Sequence, residues 1–166
     1  LLNAVSGCLN FMKDSTLIFA PNHNSYNRFS TGAHAPTAIN WGYENRTTAI
    51  RIPGGPDIAK RIEHRVAGGD ANPYLVLASV LGAAINGMES KMEVEEPISG
   101  DGYTSGGVSI IKDWKKSIEC FSNSQQIKKI FDPLLIRSFV DCKKQELDYF
   151  KDKSYNHIIQ TTINAI

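Results

Sequence analysis

The chain has 166 residues, of which 18 are basic and 17 acidic, giving a formal net charge of +1. This length serves one domain with a real core, and near-neutrality excludes a nucleic-acid-binding domain that works by bulk charge. Three widely spaced cysteines (Cys8, Cys120, Cys142) without a CxxC pair point to reduced thiols and a cytoplasmic protein rather than a disulfide framework or a zinc site; no apolar run approaches the about 18 residues of a membrane span, and no basic n-region precedes a cleavable h-region as in a signal peptide.

The chain opens Leu1-Leu2 without an initiator Met, which suggests a piece of a longer protein. Residues 1–12 are apolar with small residues interspersed and read as the end of a buried helix. Residues 20–46 carry no helical period and are rich in Asn, Ser, Pro, Gly and His; a segment this long is functional or disordered, and Tyr26, Phe29, Trp41 and Tyr43 argue for order. Within it, Asn45-Arg46-Thr47 matches the glycosylation acceptor pattern, a chance match in a cytoplasmic protein.

Two strands follow. In TTAIRIP, Ile50 and Ile52 share a face and Ala49 and Arg51 the other; after a Gly54-Gly55-Pro56-Asp57 turn, KRIEHRVA sets Arg61, Glu63 and Arg65 opposite Ile62, His64 and Val66. Gly68-Gly69-Asp70 ends the second strand, and Asn72 as N-cap with Pro73 at the first helical position starts a helix that is apolar nearly all round, hence buried in the domain or between subunits. A charged, then Gly/Ser-rich connection spans 89–110. Helices are expected at 113–122, 124–131, 133–151 and 154–165, with Asp132-Pro133 as a start signal and Leu135, Phe139, Cys142, Glu146 and Tyr149 at three- to four-residue spacing.

The basic residues are segregated. Five of six arginines (Arg28, Arg46, Arg51, Arg61, Arg65) fall between 28 and 65, whereas ten of twelve lysines lie at 91 or beyond, where they read as a solvated helix face. Clustered guanidinium groups repel unless anions sit between them, and Glu44, Asp57, Glu63 and Asp70 are not all on the right face. A polyanionic ligand, with a carboxylate holding the divalent metal that accompanies nucleotide phosphates, is the economical inference. No Walker A, GxGxxG or GxSxG pattern is present, and His23, His34, His64 and His157 form no metal-ligand pattern; His64 reads as a packed side chain.

NSYNRF, GAHAP, ENRTTAIRIP and RIEHRVAGGDANPYLVLASVL, in this order, resemble the C-terminal part of the catalytic domain of the glutamine synthetase family, strongly over about residues 18–90 and more loosely in the tail. The resemblance implies an α+β fold with antiparallel active-site strands and helices packed behind. Residues 1–90 would supply strands, loop and buried helix, and 91–166 a linker and helical tail. It implies ATP and Mg2+ or Mn2+ as cofactors, glutamate and an amine as substrates, and a ring-shaped homo-oligomer, with no nucleic-acid or membrane partner. It also assigns roles. Arg28 and Arg65 would hold glutamate, Glu63 would ligate the metal, Arg46, Arg51 and Arg61 would contact the nucleotide, and Arg46 would stabilise the transferring phosphoryl group. Such roles suit phosphoryl transfer, which is catalysed mainly by positioning and charge neutralisation.

Two departures matter. Ammonia-using members carry a flap Glu that attracts ammonium; here the position is His34, which suits accepting a proton from a primary amine, so the branch that γ-glutamylates polyamines and other amines is favoured over ammonia-dependent synthetases. The N-terminal β-grasp domain and the first half of the catalytic domain, with the remaining metal ligands, have no counterpart here, so the chain alone is expected to be inactive. A non-catalytic binding or scaffold homologue is the further alternative.

Overall fold

The computed structural model describes residues 1–105 and 107–164. Helix α1 (Leu2–Met12) and a short α2 (Thr16–Phe19) lead to a 3-10 turn, His23–Arg28, and irregular backbone to residue 37. Strands β1 (Ala38–Ile39), β2 (Trp41–Tyr43), β3 (Ile50–Ile52) and β4 (Glu63–His64) precede helix α3 (Pro73–Glu89). Strand β5 (Val108–Ser109) and helices α4 (Trp114–Asn123), α5 (Pro133–Phe150) and α6 (Tyr155–Ile163) complete the order.

The strands are short. β3 pairs with β4 antiparallel in the register Arg51↔Glu63 and Ile50↔His64, as the alternation requires, so that the charged residues share a face. The loop segment 20–46 holds more structure than its composition suggested. Tyr26, Phe29 and Trp41 are buried, and β2 adds to β3 in parallel, a pairing the sequence pattern did not reveal. β1 pairs with β5 from the expected connection, so residues 89–110 are not merely a linker. Trp41 O accepts from Ile98 N at 2.8 Å and Trp41 Nε1 donates to Glu95 O at 2.7 Å, fastening that segment along β2.

The helix starts follow their caps. Asn72 Oδ1 accepts from Tyr74 N and Leu75 N, Asp113 from Lys116 N, Asp132 from Leu134 N and Ser154 from His157 N. The expected 124–131 helix is only a 3-10 turn, Ile127–Lys129, and residue 165 of the expected last helix lies outside the described residues. On α5 the buried positions are Ile136, Val140 and Lys143, one residue on from the expected stripe; Leu135 and Tyr149 stay exposed. Lys143 also departs from the solvated-lysine pattern: its side chain is 11% exposed and its ammonium lies 2.7 Å from Glu146 Oε2.

Helix α3, apolar nearly all round, is only partly covered within the chain. It buries only Ser79, whose hydroxyl donates to that of Ser15 at 2.9 Å, and Ala83 and Gly87, which lie against α1, while Tyr74, Leu77, Leu81, Ile85 and Met88 form an exposed apolar stripe. The small residues win the inner face because α1 approaches almost to backbone contact: a Cβ on Gly87 would stand 2.7 Å from Gly7 Cα and clash with Asn3 O. The core is filled by Phe11, Met12, Leu17, Ile18, Phe19, Ile50, Ile52, Ile118, Phe121 and Ile127. Among the described residues, no helix is long and apolar enough to cross a membrane.

Candidate active site

The exposed face of β3 and β4 carries an alternating ladder of charge. Arg51 lies between two carboxylates: its Nη1 donates to Glu63 Oε2 at 3.0 Å and its Nη2 to Glu44 Oε2 at 3.0 Å. Glu63 Oε1 in turn accepts from Arg61 Nη2 at 3.1 Å. The Arg51 side chain is 14% exposed, so its pairing with two carboxylates holds its charge firmly and raises its pKa, the hydrogen bond from Glu44 being the largest contribution. Glu44 is held below the usual carboxylate range, first by the Gly54 N–H and then by Arg51. The sequence counted Glu44 among nearby carboxylates without seeing this role, which depends on a left-handed residue (φ 52°) turning its side chain back along the sheet.

Arg65 extends the ladder by one turn of the alternation. Its backbone N–H donates to Ala49 O at 2.9 Å, while its guanidinium donates to Thr48 O at 2.9 Å and to His34 O at 3.2 Å. Burial lowers its pKa. The contact with His34 brings the GAHAP loop onto the arginine strands. His34 itself is exposed and sits at φ 59°, with its ring making no hydrogen bond among the described residues.

Arg46 is exposed on the Asn45–Thr47 turn, and its side chain has no hydrogen-bond or ion-pair partner among the described residues. The turn is built by Asn45, whose amide donates to Gly100 O at 2.8 Å and Ile98 O at 3.3 Å, and whose Oδ1 accepts from Thr47 N at 3.0 Å and Thr47 Oγ1 at 2.6 Å. Asn45-x-Thr47 is therefore an Asx turn that presents Arg46, a reading available from the sequence. Beside it, a hollow of about 470 Å³ is lined by Tyr43, Arg46 and the Pro97–Gly100 strip.

Arg28 lies apart from the ladder. Its Nη2 donates to Phe19 O at 3.0 Å and to Val66 O, and its guanidinium stacks 4.4 Å from the Phe29 ring centroid. Burial lowers its pKa. Thus Arg51, Arg61, Arg65 and Glu63 are brought together, with Glu44 added, and His34 is linked to them through its backbone. Arg28 is tied instead to Phe19 and to Val66, the residue that follows Arg65. A hollow of about 910 Å³ between the 69–73 loop and helices α5 and α6 is lined by none of the site residues named from sequence.

Glu63 was expected to ligate a metal. Both its oxygens are engaged by arginine, and no group of three His, Cys, Asp or Glu suited to a metal exists among the described residues. The chain by itself therefore supplies one carboxylate, which falls short of the six oxygen donors that Mg2+ takes. His64, on the opposite face, is packed as expected: its ring lies 4.5 Å from that of Phe19, and burial pushes its pKa down to about 4.

Comparison with known proteins bears on this arrangement. Residues 1–161 match the family model described as glutamine synthetase, catalytic domain, which extends the similarity beyond the segment carried by the motifs. A γ-glutamylethanolamide synthetase of Streptomyces coelicolor is 36% identical over 88% of this chain and 31% of its own length. A γ-glutamylputrescine synthetase of Escherichia coli is 33% identical over 91% of this chain and 32% of its own. A solved GmaS–ADP complex superposes with a TM-score of 0.80 at 23% identity, over 98% of this chain and 39% of that one, a likeness of fold. The chain spans about a third of the length of the curated relatives it matches.

Proposed function

The chain belongs to the glutamine synthetase family, and on that premise we propose that it is the C-terminal part of the catalytic domain of an ATP-dependent ligase joining the γ-carboxylate of glutamate to a primary amine or polyamine. The observation that carries this reading is the Arg51–Glu63 pair across β3 and β4, flanked by Arg61 and Arg65 on the same open face. A structural salt-bridge ladder would balance its charges. Here Arg46 and Arg65 have no carboxylate within ion-pair distance among the described residues, and Arg46 points its charge at solvent beside a hollow.

In this reading Arg28 and Arg65 bind glutamate. Arg46, Arg51 and Arg61 face the phosphates of ATP, where fixed guanidinium forks neutralise charge as the phosphoryl group moves to the γ-carboxylate. The products of that step are γ-glutamyl phosphate and ADP, and the amine then attacks the acyl carbon and displaces phosphate to form the amide. Glu63 would be one ligand of several to Mg2+ or Mn2+, with the others on the portion that this chain does not carry; such an ion would stabilise charge on phosphate oxygens. His34, in place of the flap carboxylate, would accept the proton of the attacking amine. The amine-ligating relatives support this branch over ammonia-dependent synthesis. A homo-oligomeric ring and a reducing, cytoplasmic setting, suited to three free thiols, belong to the same proposal.

The test is ATP turnover by the complete enzyme with glutamate and either putrescine, ethanolamine or ammonia. Turnover is expected with an organic amine and is expected to disappear in Glu63→Ala. Turnover with ammonia alone would replace the amine reading by glutamine synthesis. No turnover with any amine would favour a binding or scaffold protein, and a fully active Glu63→Ala enzyme would remove Glu63 from the site.

A further inference from the structure

The loop that follows Arg65 touches both ends of the 3-10 turn that carries Arg28. At the far end of the turn, Val66 O accepts from Arg28 Nη2. At the near end, Asp70 Oδ2 accepts from Asn22 Nδ2 at 3.0 Å and from Ser25 Oγ. Ser25 Oγ also accepts from Asn22 N at 3.0 Å, closing the first turn of the 3-10 segment His23–Arg28. Between these two points, Gly68 N donates to Phe19 O at 2.9 Å, the same carbonyl that accepts from Arg28. A side chain at Gly68 would intrude here, because its Cβ would clash with Asp70 Oδ1 and stand 3.1 Å from Arg28 Nε.

We infer that Asp70 is a positioning residue for the glutamate-binding arginines, clamping the turn that bears Arg28 to the loop that follows Arg65. Six residues of 3-10 helix, about two turns, make a short, stiff lever, so fixing its N-terminus at Asn22 and Ser25 fixes the place of Arg28 at its C-terminus. Arg65 is already fixed through the carbonyls of Thr48 and His34. The clamp therefore sets the separation of two guanidinium groups that sequence places 37 positions apart. Arg28 Nη1 makes no hydrogen bond among the described residues, which leaves it for a carboxylate. The inference rests on the assignment of Arg28 to glutamate.

Steady-state kinetics of the complete enzyme test both levels. Asp70→Ala is expected to raise KM for glutamate about tenfold, with KM for ATP unchanged, because it frees the lever without touching the phosphate-facing arginines. Asp70→Asn is expected to stay within about twofold, since an amide oxygen accepts the same two hydrogen bonds. Ser25→Ala, which removes one donor and leaves the backbone intact, is expected to raise KM for glutamate about threefold and serves if Asp70→Ala does not fold. Unchanged KM for glutamate in Asp70→Ala, or in Ser25→Ala where the former is unfolded, would overturn the clamp, provided Arg28→Ala raises it. Equal rises in both KM values would also overturn it, as a general loss of structure. If Arg28→Ala itself left KM for glutamate unchanged, the assignment beneath the clamp would fall.

Discussion

Glu63 and His64 are consecutive residues in opposite surroundings. Glu63 faces out between Arg51 and Arg61, whereas the His64 ring faces in against Phe19, with its Nδ1 lacking a partner. The period of two in RIEHR is enough to separate them, and this much was legible from the sequence. The buried ring carries a pH dependence. Its folded pKa of about 4 lies below the ordinary value of 6.5, so between these values the unfolded chain binds the extra proton. The neutral ring is therefore fully accommodated above pH 6.5, and its contribution is lost as pH falls toward 4. The loss is about 2 kcal/mol, less than the full shift gives, because the residue keeps some exposure. Urea unfolding of the chain between pH 7 and 4 should show this slope, and His64→Gln should flatten it. An unaltered slope in the variant would place the titration elsewhere. The partnership of Glu44 with Arg51 and of Asp70 with Ser25 was not legible in the same way. In both the carboxylate, Glu44 or Asp70, sits in irregular backbone, where no period constrains the direction of a side chain.

At the scale of elements, caps were more readable than faces. Asn72-Pro73 and Asp132-Pro133 mark the starts of α3 and α5 because the capping oxygen and the ring of proline act locally. The buried face of a helix depends on what lies against it. On α5 two stripes one residue apart were available, and the structure buries the one with Ile136 and Val140. On α3, apolar nearly all round, the sequence pattern singled out no inward face; Ser79, Ala83 and Gly87 occupy it, since only small residues admit α1 so closely. The consequence is a sign that propensity alone would get wrong. Alanine in place of glycine within a helix gains about 1 kcal/mol from the backbone. At position 87, however, the new Cβ meets backbone atoms of Asn3 and Gly7, which can move only if the helices part, and overpacking of this kind costs about 3 kcal/mol. Gly87→Ala is expected to lower stability by about 2 kcal/mol in denaturant unfolding. Equal or greater stability would mean that α1 and α3 do not cross at Gly7 and Gly87.

The whole molecule is asymmetric in what it leaves open. One surface bears the arginine ladder with Glu63 between Arg51 and Arg61, and another bears the α3 stripe of Tyr74, Leu77, Leu81, Ile85 and Met88, exposed by 82, 59, 58, 48 and 48%. The segregation of arginine from lysine in the sequence anticipated the first surface. The all-round apolar character of α3 anticipated that its second face needs cover, but composition carries no record of which chain or segment supplies it. A continuous apolar patch on the order of 500 Å² is at the upper end for a monomer and favours association in water. The isolated chain is accordingly expected to self-associate as its concentration rises, with sedimentation velocity as the measure. Replacing Leu77 and Leu81 together by lysine introduces two charges into the stripe without touching the α1 contact, since both side chains point away from Ser79, Ala83 and Gly87. The double variant should keep its helical circular dichroism and sediment as a monomer. A wild-type chain that stays monomeric, or a variant that associates as the wild type does, would show that α3 does not drive the contact and would leave the exposed Leu134 on α5 and Val108 on β5 as the surfaces to test.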